Sequence, residues 1–344
     1  MIALFLLLAA VHATPAPTVY SEPYTHAQRM VDIGNGRKLN LYCVGSGSPT
    51  VIFDSGLGVG SGTLSWNRVQ PSVARFTRAC SYDRAGYGFS DPGPLPRDSD
   101  AIVSDLRALL DRAGIAPPYI LVAHSIAGLY EPLFADHYAQ DVAGMVLVDP
   151  SAAGQEELMA SQLPKYSAYE EAQAANLHKC ADDPTQRACV EPDDPHLSAT
   201  LNATIRAMLR APTAWADPAS EFDSIEKDGS EVSSAAHGYG AMPLIVLTSL
   251  ENIKTMQALM GASNSQITVV SNSWSALHDQ IAAQSTRGIN CVVPNAGHFI
   301  QTDKPDVVID AIREVMTLST QPSVKPTCPA SALPAIQPTP IPRR

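Results

Sequence analysis

The sequence predicts an α/β protein with a mostly parallel central sheet flanked by helices and a mainly helical insertion. Three observations predict it. Short apolar runs recur along most of the chain, several near-continuous, as in strands buried on both faces. Segments with helical spacing of apolar residues separate them. Over residues 151–240 this rhythm fails, and Ala-, Glu- and Gln-rich helical stretches with scattered prolines replace it. Strands alternating with helices argue for right-handed βαβ units rather than a sandwich or a bundle.

At the start of the chain, MIALFLLLAAV is an apolar run too short to span a bilayer, and Val11, His12 and Ala13 follow as small-residue cleavage context. Residues 1–13 are therefore expected to be a signal peptide, and the protein secreted or periplasmic. A basic n-region is absent, so a short membrane anchor or a truncated start is the alternative. No later segment qualifies as transmembrane, so no stable membrane insertion is expected after cleavage.

Residues 38–44 alternate apolar and polar, and residues 49–54 form a short β-rich apolar run; Gly and Ser turn signals close both. Residues 79–83, 119–123, 144–149, 243–248 and 290–294 supply further strands. Between them, residues 101–113 place Ile102, Leu106, Leu109 and Ala113 on one helical stripe, with Gly114 as the stop. Residues 306–316 give a second such helix. A core over 28–150 and 241–318 follows, interrupted by the 151–240 insertion. Placed between two strands, the insertion would sit over their carboxyl ends, where open α/β sheets carry ligands, and so act as a lid. The alternative is a surface decoration. Residues 319–344 are Pro-rich, which favours an extended tail over a packed helix.

A chain of 344 residues can be filled by one core plus an insertion. At 45% hydrophobic and 17% charged residues it is globular in composition. The net charge of -11, without a basic run, disfavours nucleic acid, because nothing would release counterions from a phosphate backbone. Six cysteines fit an oxidising compartment, yet they permit about 15 pairings. Cys180 and Cys189 bracket a short polar stretch and are the easiest pair; Cys43 with Cys80 and Cys291 with Cys328 would complete a set. Buried free thiols remain the other reading. No Cys/His cluster has zinc spacing.

Residues 119–129 read YILVAHSIAGL: a strand, a serine and the apolar start of a helix. A sharp strand-to-helix turn forces the serine into an unfavourable backbone region, and only small flanking residues let the neighbouring chain pass. Ala123 and Ala127 fill those positions in place of the commoner glycines of G-x-S-x-G. The simpler reading of Ser125 is a helix N-cap.

With this block stand PTVIFDSGLG at Pro49 to Gly58, YDRAGYGFSD at Tyr82 to Asp91, GMVLVDPS at Gly144 to Ser151, and NAGHFIQTDKP at Asn295 to Pro305. Together, from about Met30 to Leu318, the sequence resembles an α/β-hydrolase of the serine hydrolase type. A serine hydroxyl needs a base near neutral pKa within hydrogen-bond reach. His298, after residues 290–294 and the turn at 295–297, resembles the family's base on its last loop. His124 adjoins Ser125 and is read as structural. The imidazole in turn needs a carboxylate. The family's acid commonly follows the strand after the lid, where this chain reads TSLEN and offers Glu251 and Asn252 but no aspartate. In some relatives it follows the strand before the lid, where Asp149 stands. Asp149 is the preferred acid and Glu251 the alternative; Asp149 could also merely cap the chain before Pro150. The resemblance further implies an oxyanion hole from the amides of Leu57 and Ile126.

The implied activity is cleavage of a carboxylic ester, or similar acyl bond, of a small molecule through an acyl-enzyme, with no cofactor. Proline iminopeptidase-like amide hydrolysis and a noncatalytic binding protein of the same fold are the alternatives. A dinucleotide site at GLGVGSG misses the final glycine of G-x-G-x-x-G. Epoxide and haloalkane enzymes of this fold use an aspartate nucleophile, against which Ser125 argues. Trp66, Tyr130 and Trp274 are candidate pocket liners, or equally core residues.

Overall fold

A computed structural model describes residues 22–58, 60–235 and 238–334. The expected signal peptide lies outside them. Among the described residues the strands are β1 (Met30–Gly34), β2 (Arg37–Val44), β3 (Thr50–Asp54), β4 (Ala79–Tyr82), β5 (Tyr119–His124), β6 (Val142–Val148), β7 (Leu244–Thr248), β8 (Gly288–Val292) and β9 (Leu333–Pro334). They form one sheet in the order β1-β2-β4-β3-β5-β6-β7-β8-β9. Strands β3 to β8 run parallel, whereas β1, β2 and β9 join antiparallel at the edges. Every strand read from the sequence is present. The two not anticipated are short edge strands: β1 alternates the buried Val31 and Ile33 with exposed residues and turns into β2 at Asn35-Gly36, whereas the two-residue β9 is defined by its pairing with β8.

The helices are α1 (Ser99–Ala113), α2 (Ala127–His137), α3 (Gln155–Gln162), α4 (Tyr166–Asp182), α5 (Ala199–Met208), α6 (Thr213–Ala235), α7 (Glu251–Met260), α8 (Asn264–Ala282) and α9 (Pro305–Leu318), with shorter turns between them. Asp98 caps α1 by accepting from the Ala101 amide, and Gly114 ends it in the left-handed region at φ 68°. Because β5 is buried on both faces, its residues divide between two cores. Leu121 packs with Leu106, Leu109 and Leu133 of α1 and α2. Val122 packs on the other side with Val308, Ile312 and Val315 of α9.

The insertion is helical, as expected, and comprises α3 to α6. It does not stand alone. Met159, Leu163 and Tyr166 pack against Ile253, Met260, Ile267, Val270 and Trp274 of α7 and α8, and α8 also packs along β7 and β8, so it ties the insertion to the sheet. The disulfides are Cys43–Cys80, Cys180–Cys189 and Cys291–Cys328. The first links paired residues of β2 and β4. The second closes a small satellite core around Trp215.

The segment after Ser319 is extended but anchored. The buried Arg287 donates to the carbonyls of Leu318, Gln321 and Val324, Cys328 is bonded to Cys291, and β9 pairs with β8. Prolines prevent a helix there, and these contacts hold the chain instead. Residues 335–344 of the expected tail lie outside the described residues. Among the described residues, no helix is long and apolar enough to cross a membrane.

Candidate active site

Strand β5 ends at His124 and α2 begins at Ala127, leaving one turn for Ser125 and Ile126. Ser125 has φ 55°, a left-handed conformation that costs an L-residue energy and turns its hydroxyl out of the strand. Small neighbours make the turn possible. Ala123 and Ala127 are fully buried. A Cβ on Gly128 would meet Pro150 Cβ at 2.3 Å, and one on Gly56 would meet Ser125 Cβ at 3.0 Å. The 55–58 loop, with Leu57, therefore lies against the turn. Ile126 is the N-cap of α2, where backbone donors lack helical partners and the helix dipole is positive.

Asp149 follows β6 with φ 42° and is completely buried. Its Oδ1 accepts from the Ser249 amide at 2.9 Å and from the Trp274 indole at 3.3 Å. Oδ2 faces His298 Nδ1 at 2.7 Å. On the other side of the ring, His298 Nε2 lies 2.9 Å from Ser125 Oγ. The loop carrying His298 is fixed at three successive residues. Ser249 Oγ donates to the Ala296 carbonyl at 2.7 Å, the Gly297 amide donates to Asp303 at 2.8 Å, and His124 Nε2–H donates to the His298 carbonyl at 3.0 Å.

His124 thus touches the histidine loop through its backbone. Burial, helped by the nearby His298, drives its pKa well below the ordinary value, so it stays neutral. His278, likewise pushed down by burial, donates Nε2–H to the Pro150 carbonyl at 2.9 Å, just after Asp149.

The structure therefore brings Ser125, His298 and Asp149 into one line of hydrogen bonds. Glu251 stands apart in the first turn of α7, where its carboxylate pairs with Lys254 at 2.6 Å. Trp274 reaches Asp149, Trp66 packs on Phe53 inside the core, and Tyr130 lies buried beside Arg84. Neither Ser249 nor the role of Trp274 is legible in the sequence, since neither carries a local motif. A serine hydroxyl, an imidazole and a buried carboxylate in this order can move a proton from oxygen to nitrogen and hold the resulting imidazolium. Among the described residues, no group of His, Cys, Asp or Glu could hold a metal ion.

A mostly parallel sheet with a strained serine after its central strand, faced by a histidine from the last loop, defines an α/β hydrolase. The model of the alpha/beta hydrolase family matches residues 51–311, and the chain belongs to that family. The Bacillus subtilis protein YqjL is 27% identical over 277 residues, covering 80% of this chain and 87% of that one. YbdG, also of B. subtilis, is 32% identical over 120 residues, so the chain spans only 37% of its length. The 2-hydroxy-6-oxo-2,4-heptadienoate hydrolase of Pseudomonas putida is 31% identical over 122 residues, 35% of this chain and 43% of that enzyme. Among solved structures, a thermophilic esterase from Thermogutta terrifontis superposes with a TM-score of 0.52 at 17% identity, over 84% of this chain and 97% of that one. The epoxide hydrolase CorEH does so with 0.55 at 17% identity, over 85% and 98%. At such identities the likeness concerns the fold.

Proposed function

We propose that the protein is a serine hydrolase that cleaves a carboxylic ester, or similar acyl bond, of a small molecule. The observation that carries this reading is the hydrogen-bonded line from Ser125 Oγ through His298 to Asp149. In the first step His298 Nε2 takes the Ser125 proton while Oγ bonds to the carbonyl carbon, whose π electrons move to its oxygen. The amides of Leu57 and Ile126 receive that oxyanion. When the tetrahedral adduct collapses, the C–O bond to the alcohol breaks and the imidazolium returns its proton to the departing oxygen. Water, deprotonated by His298, then attacks the acyl-enzyme and releases acid and free Ser125. Asp149 fixes the ring's tautomer and stabilises the imidazolium throughout. An ester is favoured over an amide because alcohols leave more readily.

The 151–240 insertion is proposed to shape access to the serine as a lid, and three disulfides support an oxidising, extracytoplasmic location. Epoxide hydrolases share the fold, but their chemistry needs a carboxylate where this chain has Ser125. A panel of p-nitrophenyl esters with a Ser125→Ala control tests the reading, alongside labelling by a fluorophosphonate probe. The wild type is expected to turn over short acyl esters and to label at Ser125. Equal rates for wild type and control, or no labelling of folded protein, would leave a noncatalytic binding protein as the better description.

A further inference from the structure

Beneath the 55–58 loop lies a buried ionic cluster that the triad does not use. Arg84 is 2% exposed, and Asp54 and Glu221 are fully buried. Arg84 Nη1 donates to Asp54 Oδ1 and to the Ser55 carbonyl, both at 2.6 Å. Nη2 donates to the Gly56 carbonyl at 3.2 Å and to Glu221 Oε2 at 2.8 Å, while Nε donates to Glu221 Oε1 at 3.0 Å. Tyr87 hydroxyl donates to Glu221 Oε2 at 2.8 Å, and the guanidinium lies 4.5 Å from the Tyr87 ring centroid. Behind Asp54, Glu131 is buried on α2, and burial together with Asp54 pushes its pKa well up.

A buried ion pair contributes little net stability, because desolvation offsets the Coulomb attraction. Its geometry matters more here. The Gly56 carbonyl and the Leu57 amide belong to one planar peptide unit, in which a trans bond points C=O and N–H in opposite directions. A donor that grips the Gly56 oxygen therefore aims the Leu57 N–H to the opposite side. It also withdraws electron density from that peptide and makes the N–H a better donor. The Ser55 carbonyl, held by the same guanidinium, fixes the preceding unit.

We propose that Arg84 is the positioning residue of the oxyanion hole, orienting and polarising the Gly56–Leu57 peptide, and that Glu221 of α6 sets the guanidinium in place. This rests on the serine hydrolase reading, in which Leu57 N–H receives the oxyanion. Glu221 belongs to a polar face of α6 that is buried against the core: Asp217 accepts from the Gly93 amide at 2.8 Å, and Asp228 from the Ser99 amide at 2.8 Å. So α6, although part of the insertion, is a fixed strut, and it links α4 to the 55–58 loop through Glu221 and Arg84.

The test compares Arg84→Met, Arg84→Lys and Glu221→Gln with Asp217→Asn, which alters the same face of α6 without touching Arg84. Each is assayed on a p-nitrophenyl ester and with a trifluoromethyl ketone that forms a tetrahedral adduct on the serine. Arg84→Met is expected to lose about 10- to 100-fold in kcat, with KM changed less than about threefold and ketone affinity falling in step with kcat. Arg84→Lys, which keeps the charge but not the fork, should lose about tenfold and serves should the Met variant fail to fold. Glu221→Gln should follow the same pattern more weakly, and Asp217→Asn should keep wild-type kcat. Unchanged kcat in the Arg84 variants, or an equal loss in Asp217→Asn, would overturn the proposal. Equal activity of wild type and Ser125→Ala would instead remove the serine reading on which it stands.

Discussion

Trp274 donates its indole N–H to Asp149 Oδ1 at 3.3 Å, across 125 residues of chain. Together with the Ser249 amide, it leaves Oδ2 of the carboxylate to face His298. The acid at the end of β6 is thus oriented by the loop after β7 and by α8. Replacing Trp274 by Phe keeps most of the packing and removes the donor. A loss of about three- to tenfold in kcat is expected, consistent with a long hydrogen bond to a charged group, with KM much less affected. Steady-state kinetics on a p-nitrophenyl ester would check it, and an unchanged kcat would mean that Ser249 alone suffices.

The two acids named from the sequence separate sharply. Asp149→Ala should reduce kcat by about 10³- to 10⁴-fold, the scale seen when a triad carboxylate is lost. Glu251→Ala should stay within about twofold, because its carboxylate is engaged by Lys254 on its own helix. The reverse ranking would move the acid to α7.

Gly128 has no room for a side chain, since its Cβ would overlap Pro150 Cβ at 2.3 Å. Gly128→Ala must push Pro150 away and with it the adjoining Asp149. About 1–3 kcal/mol of destabilisation is expected from such overpacking, with activity falling more than about tenfold. Thermal unfolding and a rate assay at one temperature would separate the two effects.

Asp228 introduces a pH dependence of stability that is independent of catalysis. Burial raises its pKa from 3.8 to about 7. The folded state therefore binds this proton more tightly than the unfolded one, and the group's contribution to stability falls as pH rises from about 4 to about 7. Asp228→Asn keeps an acceptor for the Ser99 amide and removes the charge. The variant should gain stability over wild type at pH 8, by at most about 4 kcal/mol, and the gain should vanish near pH 4. Urea unfolding at both pH values measures it; a gain independent of pH would point to packing rather than ionisation.

Much of this was legible in the sequence because it is local. A continuous apolar run such as Val51 to Phe53 can only be satisfied between two layers, and the tight turn around Ser125 announces itself by small residues on either side. The loop of His298 could be placed by its position after β8. Helices α7 and α8 were not read from the sequence, although Ile267, Val270, Trp274 and Ala282 recur at helical spacing on the buried side of α8; what local spacing does not encode is that this side meets both the insertion and the sheet.

The chain by itself determined the strand alternation and the bend at Ser125, because each rests on the steric demands of a few neighbouring residues, while His298 and the pair of candidate acids Asp149 and Glu251 came from the resemblance of their surrounding blocks to the family. Only the tertiary structure decided that Asp149 rather than Glu251 lies against the imidazole, that Trp274 and Ser249 hold that carboxylate, and that Arg84 joins α6 to the loop before Leu57. These relations span from 28 to 149 residues of sequence. Packing of distant segments creates them, and no local pattern of residues encodes a contact between side chains so far apart.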